Sequence, residues 1–171
     1  MGDKTGISWT TASWNPTAGC SIKSPGCTNC YAMKQAHRLA SMTGQSVAQR
    51  YAGLTKIAAN GEPVWTGAIR LDPASLDLPL RWTRGRLIFV NSMSDLFHED
   101  LATSDIDRVF AVMDQGAQHV YQILTKRPDR MLEYLSDPET PARIVGVLAE
   151  QGRVPLSNAW PLPHVWAGTT V

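Results

Sequence analysis

Short apolar segments rich in β-branched and aromatic residues alternate along this chain with longer segments of helical period. This alternation is typical of βα units repeated around a parallel sheet, and we predict one α/β domain over residues 1–171. The clearest strand is the apolar run Leu87-Ile88-Phe89-Val90, because a strand covered on both faces is apolar throughout. The pattern predicts strands over 14–19, 65–71, 86–90, 119–124 and 165–171, and helices over 31–41, 73–82, 103–116, 128–135 and 140–151.

The weakest pattern lies between the first predicted helix and the second predicted strand. The first helix is expected to end near Gly44. Gly53, Asn60-Gly61 and Pro63 then interrupt residues 45–64, which favours a short helix followed by a loop.

Polar residues follow several predicted strands at the point where each strand ends. Cys20, residues 91–95, residues 125–127 and Thr169 all occupy such positions. Because the carboxyl ends of parallel strands meet at one edge of the sheet, we expect these groups to share a rim that binds ligands.

Several side chains on this rim are candidates for chemistry. Asp95, His98 and Glu99 offer carboxylate and imidazole groups for acid–base work or for binding a cofactor's amino and ribose groups. Lys126 and Arg127 suit a carboxylate or a phosphate. The alternative is structural, since Asp, Ser and His are also common in loops and caps, and a Lys-Arg pair is also common on solvated surfaces.

The chain ends inside its last predicted strand. A domain that stops on a strand lacks the loop and the units that follow it, so we expect this sequence to be truncated at its C-terminus. A complete small α/β domain with a terminal strand is the alternative.

Composition narrows the setting of the protein. Its hydrophobic content of 43% supports a sizeable core, and a net charge of +1 gives no electrostatic argument for a protein that coats nucleic acid, although local basic patches are compatible with it. No run approaches the ~20 apolar residues of a membrane span, so we expect no membrane association. An odd number of cysteines cannot be fully paired, and with no signal peptide the chain is expected in the reducing cytoplasm.

The three cysteines lie within eleven residues, in the spacing C-x6-C-x2-C, and we call residues 20–30 the cysteine loop. Cys20, Cys27 and Cys30 can surround one point, because Pro25-Gly26 provides a turn that brings Cys20 back toward the other two. Such clustered thiolates suit a soft metal or an iron–sulfur cluster, and three of them leave one coordination position open. The predicted helix begins just after Cys30, where free backbone N–H groups stabilise a thiolate.

Two other interpretations of the cysteines stay open. A zinc ion would take a fourth protein ligand, and the nearest candidate is His37 on the following helix. The remaining possibility is three reduced thiols that hold no metal.

Five segments of the chain resemble one family. They are Ile7-Ser-Trp-Thr-Thr-Ala-Ser-Trp-Asn-Pro-Thr-Ala-Gly-Cys20, Pro25-Gly-Cys27-Thr-Asn-Cys30-Tyr-Ala, Phe89-Val-Asn-Ser-Met-Ser-Asp-Leu-Phe-His98, Gln122-Ile-Leu-Thr-Lys-Arg-Pro128 and Val165-Trp-Ala-Gly-Thr. In this order they resemble an uncharacterised phage and bacterial family, domain of unknown function 5131. That family is similar to the radical S-adenosylmethionine enzymes, nearest to the spore photoproduct lyase branch, although its first cysteine gap is longer than usual.

The resemblance implies a partial (β/α) barrel of about five parallel strands. It implies that Cys20, Cys27 and Cys30 ligate a [4Fe–4S] cluster whose free iron chelates S-adenosylmethionine. Reductive cleavage of that cofactor would yield a 5′-deoxyadenosyl radical for a lyase- or transferase-like reaction. We expect the cofactor to contact residues of the rim, namely Asn91, Ser92, Ser94, Asp95 and Lys126.

The partner of such an enzyme is an unknown substrate, with nucleic acid and a partner polypeptide as the two candidates. The alternative function is a non-catalytic module of phage origin that binds zinc, nucleic acid or another protein.

Overall fold

The computed structural model describes residues 5–43 and 45–170. Its strands are β1 (Ala12–Trp14), β2 (Thr17–Ala18), β3 (Thr55–Ile57), β4 (Pro63–Trp65), β5 (Arg70–Leu71), β6 (Leu87–Val90), β7 (Val120–Thr125) and β8 (Val165–Thr169). Its α-helices are α1 (Tyr31–Ala40), α2 (Gln45–Tyr51), α3 (Pro73–Leu76), α4 (Thr103–Gln115), α5 (Pro128–Ser136) and α6 (Thr140–Glu150). Short 3₁₀ helices span Pro25–Cys27 and Leu78–Arg81.

The protein is a mixed α/β fold built on a four-stranded parallel sheet in the order β1-β6-β7-β8. Across the sheet Trp14 pairs with Val90, Val90 with Ile123 and Ile123 with Ala167. The described strands do not close into a barrel, and the parallel sheet has four strands where about five were predicted. Because the order runs in one direction, right-handed crossovers put the connecting helices on the same face.

That face carries the main core. Alternate residues of each strand point into it, and α4, α5 and α6 cover them. Trp14, Val90, Tyr121 and Ile123 from the strands are 0–1% exposed. They pack with helix residues that include Phe110, Met113, Tyr134, Ile144 and Leu148.

The opposite face of the sheet is only partly covered by the described residues. Leu124 and Trp166 are 37% and 56% exposed, and the Trp9 ring packs edge-on against Phe89 at 4.8 Å between centroids. The apolar run Leu87-Ile88-Phe89-Val90 predicts a strand covered on both faces, but the described residues fully cover only one face of it.

A smaller core supports the cysteine loop. It joins α1, α2 and the loop after β6 through Ala36, Tyr51, Trp65 and Met93. Residues 45–64 contain the predicted helix, but the predicted loop is wrong, because β3 and β4 form an antiparallel hairpin. Its turn places Gly61 at a φ of +79°, a conformation that glycine adopts without a steric penalty.

Three other predicted elements differ from the structure. The predicted strand 14–19 is two strands separated by Pro16, which has no backbone N–H to donate. The predicted strand 65–71 is wrong, since β4 ends at Trp65 and β5 pairs antiparallel with β2, outside the main sheet. The predicted helix 73–82 breaks into α3 and a 3₁₀ turn that contains Pro79.

Two predicted ends of elements fall at the limits of the described residues. Helix α1 ends at Ala40, and the predicted stop at Gly44 lies outside the described residues. Strand β8 begins at Val165 as predicted and ends at Thr169, while Val171 lies outside the described residues. None of the helices in the described ranges combines the length and apolar character needed to cross a membrane.

The hydroxyl group of Tyr121 is buried in the core next to Gly116. Tyr121 is 0% exposed, and within residues 5–43 and 45–170 its hydroxyl has no hydrogen-bond partner. A Cβ added at Gly116 would lie 2.1 Å from that oxygen. We expect Gly116→Ala to lower the free energy of unfolding by about 1–3 kcal/mol through overpacking. We expect Tyr121→Phe to be neutral or to stabilise by up to about 1 kcal/mol, because it removes an unpaired buried group.

The double variant tests the contact itself. Urea denaturation of both single variants and the pair should give a coupling of at least about 1 kcal/mol, because Tyr121→Phe removes the oxygen that the added Cβ would meet. Gly146→Ala is the matched control, since nothing lies within 4 Å of a Cβ at this helical position. Additive effects of the two core substitutions would contradict the prediction.

Candidate metal and cofactor site

The cysteine loop reaches the carboxyl edge of the sheet beside the loop that follows β6. Gly19 forms a parallel bridge with Ser94, which extends the β1–β6 pairing past the ends of both strands. The chain can approach so closely because Gly19 has a φ of +98° and no side chain. Cys20 therefore leaves this bridge next to residues 95–99.

Asp95 joins the β6 loop to the end of β7. Its side chain is 5% exposed and accepts four hydrogen bonds. Oδ1 accepts from Thr125 Oγ1 at 2.7 Å and from the Phe97 N–H at 3.0 Å. Oδ2 accepts from the Lys126 N–H and from Arg127 Nη1, both at 3.0 Å.

Arg127 connects three segments through one guanidinium group. Nε donates to Glu99 Oε2 at 2.6 Å, Nη1 to Asp95, and Nη2 to Ser21 Oγ at 2.7 Å. Nη1 also lies 3.9 Å from Cys20 Sγ, within hydrogen-bonding distance for sulfur. Arg127 is 4% exposed, so its charge is buried among protein acceptors. The predicted role of Arg127 in holding a carboxylate is met by the protein's own Asp95 and Glu99.

Glu99 lies between two cations, Arg127 and Lys23. Its Oε1 accepts from Lys23 Nζ at 2.7 Å, while Oε2 accepts from Arg127. Burial acts to raise the pKa of Glu99, but the hydrogen bonds from Lys23 and Arg127 outweigh it and lower that pKa to about 2. Glu99 is therefore an anion at neutral pH and a poor proton donor.

His98 holds Ser21 but does not activate it. His98 is 1% exposed, its Nδ1 accepts the Asp100 N–H at 3.2 Å, and its Nε2 lies 2.9 Å from Ser21 Oγ. These partners assign the proton to Nε2, so His98 donates to Ser21. Burial and the Arg127 charge both lower the pKa of His98, which favours the neutral ring. This tautomer cannot take a proton from Ser21 as a serine hydrolase histidine does.

The three cysteines occupy different environments. Burial raises the pKa of Cys20 to about 11, against the opposing charge of Arg127. Burial also acts to raise the pKa of Cys27, but the backbone groups of Lys23 and Ser24 outweigh it and lower the pKa. Cys30 is the N-cap residue of α1, as predicted, and packs with Cys20 against the smaller core.

The fit of these residues to a metal depends on their chemistry. All three cysteines are free thiols. No group of three or more His, Cys, Asp or Glu side chains in the described ranges is arranged to hold a metal ion. The donor set nevertheless fits a soft metal, because three thiols share one loop beside the cations Lys23 and Arg127. His37, the predicted zinc ligand, instead contacts Thr55 Oγ1 through Nδ1 at 3.2 Å.

Three of the predicted cofactor-binding residues contact protein groups. Asn91 has a φ of +62°, is 3% exposed, and accepts the Thr17 N–H at 3.4 Å. Ser92 Oγ donates to Asn15 Oδ1 at 3.1 Å. Ser94 Oγ lies 2.7 Å from Thr17 Oγ1. These contacts give the three side chains a structural role in shaping the rim, and their cofactor role stays a prediction.

Lys126 lines a cleft beside the rim. The cleft has a volume of about 430 Å³ and is bounded by Lys23, Glu99 and the first turn of α5. The backbone of Lys126 is held by Asp95. Thr169 pairs with Thr125 and so lies at the same edge, as expected from the parallel register.

Sequence reasoning missed several members of the site. The hydroxyl oxygen of Ser21 accepts hydrogen bonds from the side chains of Arg127 and His98. Asn15 accepts from Ser92 and from the Met93 N–H at 3.0 Å. Asn15 directly follows β1, so the rule that polar residues collect after strands could have found it, whereas nothing in the local sequence marks Ser21.

Comparison with known proteins gives a family and no activity. The family model described as Protein of unknown function (DUF5131) matches residues 4–171. Neither the curated proteins nor the solved structures include a match to this chain. Because the family model covers nearly every residue, the chain belongs to the DUF5131 family.

Proposed function

We propose that the protein is an iron–sulfur enzyme of the radical S-adenosylmethionine type, with Cys20, Cys27 and Cys30 as ligands of a [4Fe–4S] cluster. The observation that carries the proposal is the position of three free thiols, on one loop, at the carboxyl edge of a parallel sheet. Ligands of βα folds gather at this edge. Three thiolates would leave one iron free for a cofactor.

The architecture supports the same proposal. Helices α4, α5 and α6 lie on one face of the sheet, and the strand order runs in one direction. A (β/α) barrel winds its sheet in this sense, whereas a doubly wound sheet reverses its order and carries helices on both faces. The half-open face with Phe89 and Leu124 would then be the barrel interior.

When bound, the cluster would supply an electron for reductive cleavage of S-adenosylmethionine. The chain's own residues prepare its site. Asp95 and Arg127 hold the cysteine loop against the ends of β6 and β7. Arg127 anchors Ser21, the residue after the first thiol, and Cys30, which carries the third thiol, is the N-cap residue of α1. Oxygen-sensitive chemistry of this kind belongs in the reducing cytoplasm, with a nucleic acid or a polypeptide as substrate.

Anaerobic reconstitution tests the metal directly. We expect about four irons and four sulfides per chain after incubation with iron, sulfide and reductant, with a broad absorbance that dithionite bleaches. Replacing any one of the three cysteines by Ala should abolish most of this uptake. His37→Ala is the matched control and should load normally, because His37 bonds to Thr55.

The same preparations separate the proposal from its rival. Stoichiometric zinc with no iron uptake, lost in His37→Ala, would overturn the cluster in favour of a zinc module. If the loaded protein forms no 5′-deoxyadenosine from S-adenosylmethionine and dithionite, while holding its cluster, the cluster stands and the radical chemistry fails.

A further inference from the structure

Arg127 is the one residue described on this rim whose side chain contacts the cysteine loop as well as Asp95 and Glu99. All three of its nitrogen atoms donate to protein groups. At 4% exposure it is closed to an anion from solvent. The positive charge of Arg127 therefore acts on the protein groups that it contacts and not on a ligand from solvent.

The charges within the ion-pair network of Arg127 are balanced before any metal is considered. Asp95 and Glu99 oppose Arg127 and Lys23, so two anions meet two cations. Asp95 has four donors, and both oxygens of Glu99 are paired. Among the described residues, Cys20 alone places its sulfur within hydrogen-bonding distance of the guanidinium, and it shares the nitrogen Nη1 with Asp95.

We infer that Arg127 is a positioning residue that raises the reduction potential of the proposed cluster by donating from Nη1 to the sulfur of Cys20. The inference rests on the proposed function. Hydrogen bonds to ligand sulfur and local charge set the potentials of iron–sulfur centres. A cationic donor stabilises the reduced state more than the oxidised state, because the reduced cluster carries one more negative charge.

The fork of the guanidinium explains why lysine would not serve. One planar group contacts Glu99, Asp95, Ser21 and Cys20 at once through nitrogens in fixed directions. A lysine ammonium is a single point charge. In this buried position it would pair with Asp95 and would not reach the sulfur of Cys20. Arg127→Lys thus keeps the charge and loses the donor to sulfur.

The experiment is a redox titration of the reconstituted full chain, in which dithionite supplies the electron and spectroscopy follows the cluster. We expect Arg127→Lys to shift the potential to more negative values at unchanged iron content. Glu99→Gln should shift it in the opposite direction, because it removes an anion that offsets Arg127. Glu133→Gln is the matched control, since it removes an exposed carboxylate of the same cleft and should leave the potential at the wild-type value.

Each outcome decides something different. Wild-type protein that takes up no iron overturns the proposed function and this inference with it. A loaded wild type whose potential is unmoved by Arg127→Lys, or in which Glu99→Gln behaves as Glu133→Gln does, overturns this inference alone. Where Arg127→Lys fails to fold or to load, the sign of the Glu99→Gln shift decides, because Glu99 is half-exposed and its amide is isosteric.

Discussion

Asp95→Ala is expected to lower the free energy of unfolding by about 3–5 kcal/mol, the cost of removing one partner from a buried ion pair. Asp95 is 5% exposed and Arg127 is 4% exposed, so water cannot replace the lost carboxylate. The substitution also leaves the Thr125 hydroxyl and two backbone N–H groups without their acceptor. Each buried donor that is left unpaired adds a penalty of its own.

Thermal and urea denaturation measure this effect. For a chain of this length, Tm should fall by roughly 2–4 °C for each kcal/mol lost. Asp100→Ala is the matched control, since its side chain is 77% exposed and its N–H bond to His98 comes from the backbone. We expect this control to stay within about 0.5 kcal/mol of the wild type. A small loss in Asp95→Ala would mean that Glu99 alone compensates Arg127.

Gly19→Ala is expected to destabilise the fold by about 3–5 kcal/mol, from backbone strain and a clash together. Gly19 has a φ of +98°, which L-residues rarely adopt. A Cβ there would lie 2.1 Å from the carbonyl oxygen of Ala68 and 3.0 Å from Leu54 Cδ2. The first of these is a backbone atom, so relief requires the chain segment to move.

Gly67→Ala isolates the strain from the clash. Gly67 has a φ of +93°, but nothing lies within 4 Å of an added Cβ. This control should lose only about 1–2 kcal/mol, the cost of the left-handed conformation. Because Gly19 precedes Cys20, we also expect Gly19→Ala, and not Gly67→Ala, to reduce metal uptake on reconstitution. Equal losses of stability in the two variants would show that the contact with Ala68 is not formed.

The cysteine loop and the rim show how far local patterns reach. The order of strand, polar residue and helix places Cys20, Asp95 and Lys126 at one edge of the sheet, because parallel strands share that edge. The start of α1 just after Cys30 is equally visible in the sequence. Both predictions use information that lies within a few residues of the position concerned.

The failures occurred where the outcome depends on distant contacts or on one backbone angle. Residues 65–71 carry the apolar content of a strand, but Gly67 turns the chain, and β5 pairs with β2 instead of the main sheet. The run Leu87-Ile88-Phe89-Val90 is as apolar as a strand buried on both faces. Its Leu87 is 36% exposed, since the winding of the sheet leaves this face half-covered.

For the rim too, some features follow from the local sequence and others from the tertiary structure. Periodicity, turn residues and the C-x6-C-x2-C spacing are local, so the amino-acid order alone predicted a βα domain with a thiol-rich loop at the carboxyl edge of its sheet. The partners of Arg127 were decided by folding, because Cys20 and Ser21 lie more than a hundred residues away along the chain. The contact of His98 with Ser21 and the close approach of Ala68 to Gly19 likewise exist only once distant segments of the chain have been brought together. A hydrogen bond requires two groups at a definite distance and angle, and only the packed fold sets both.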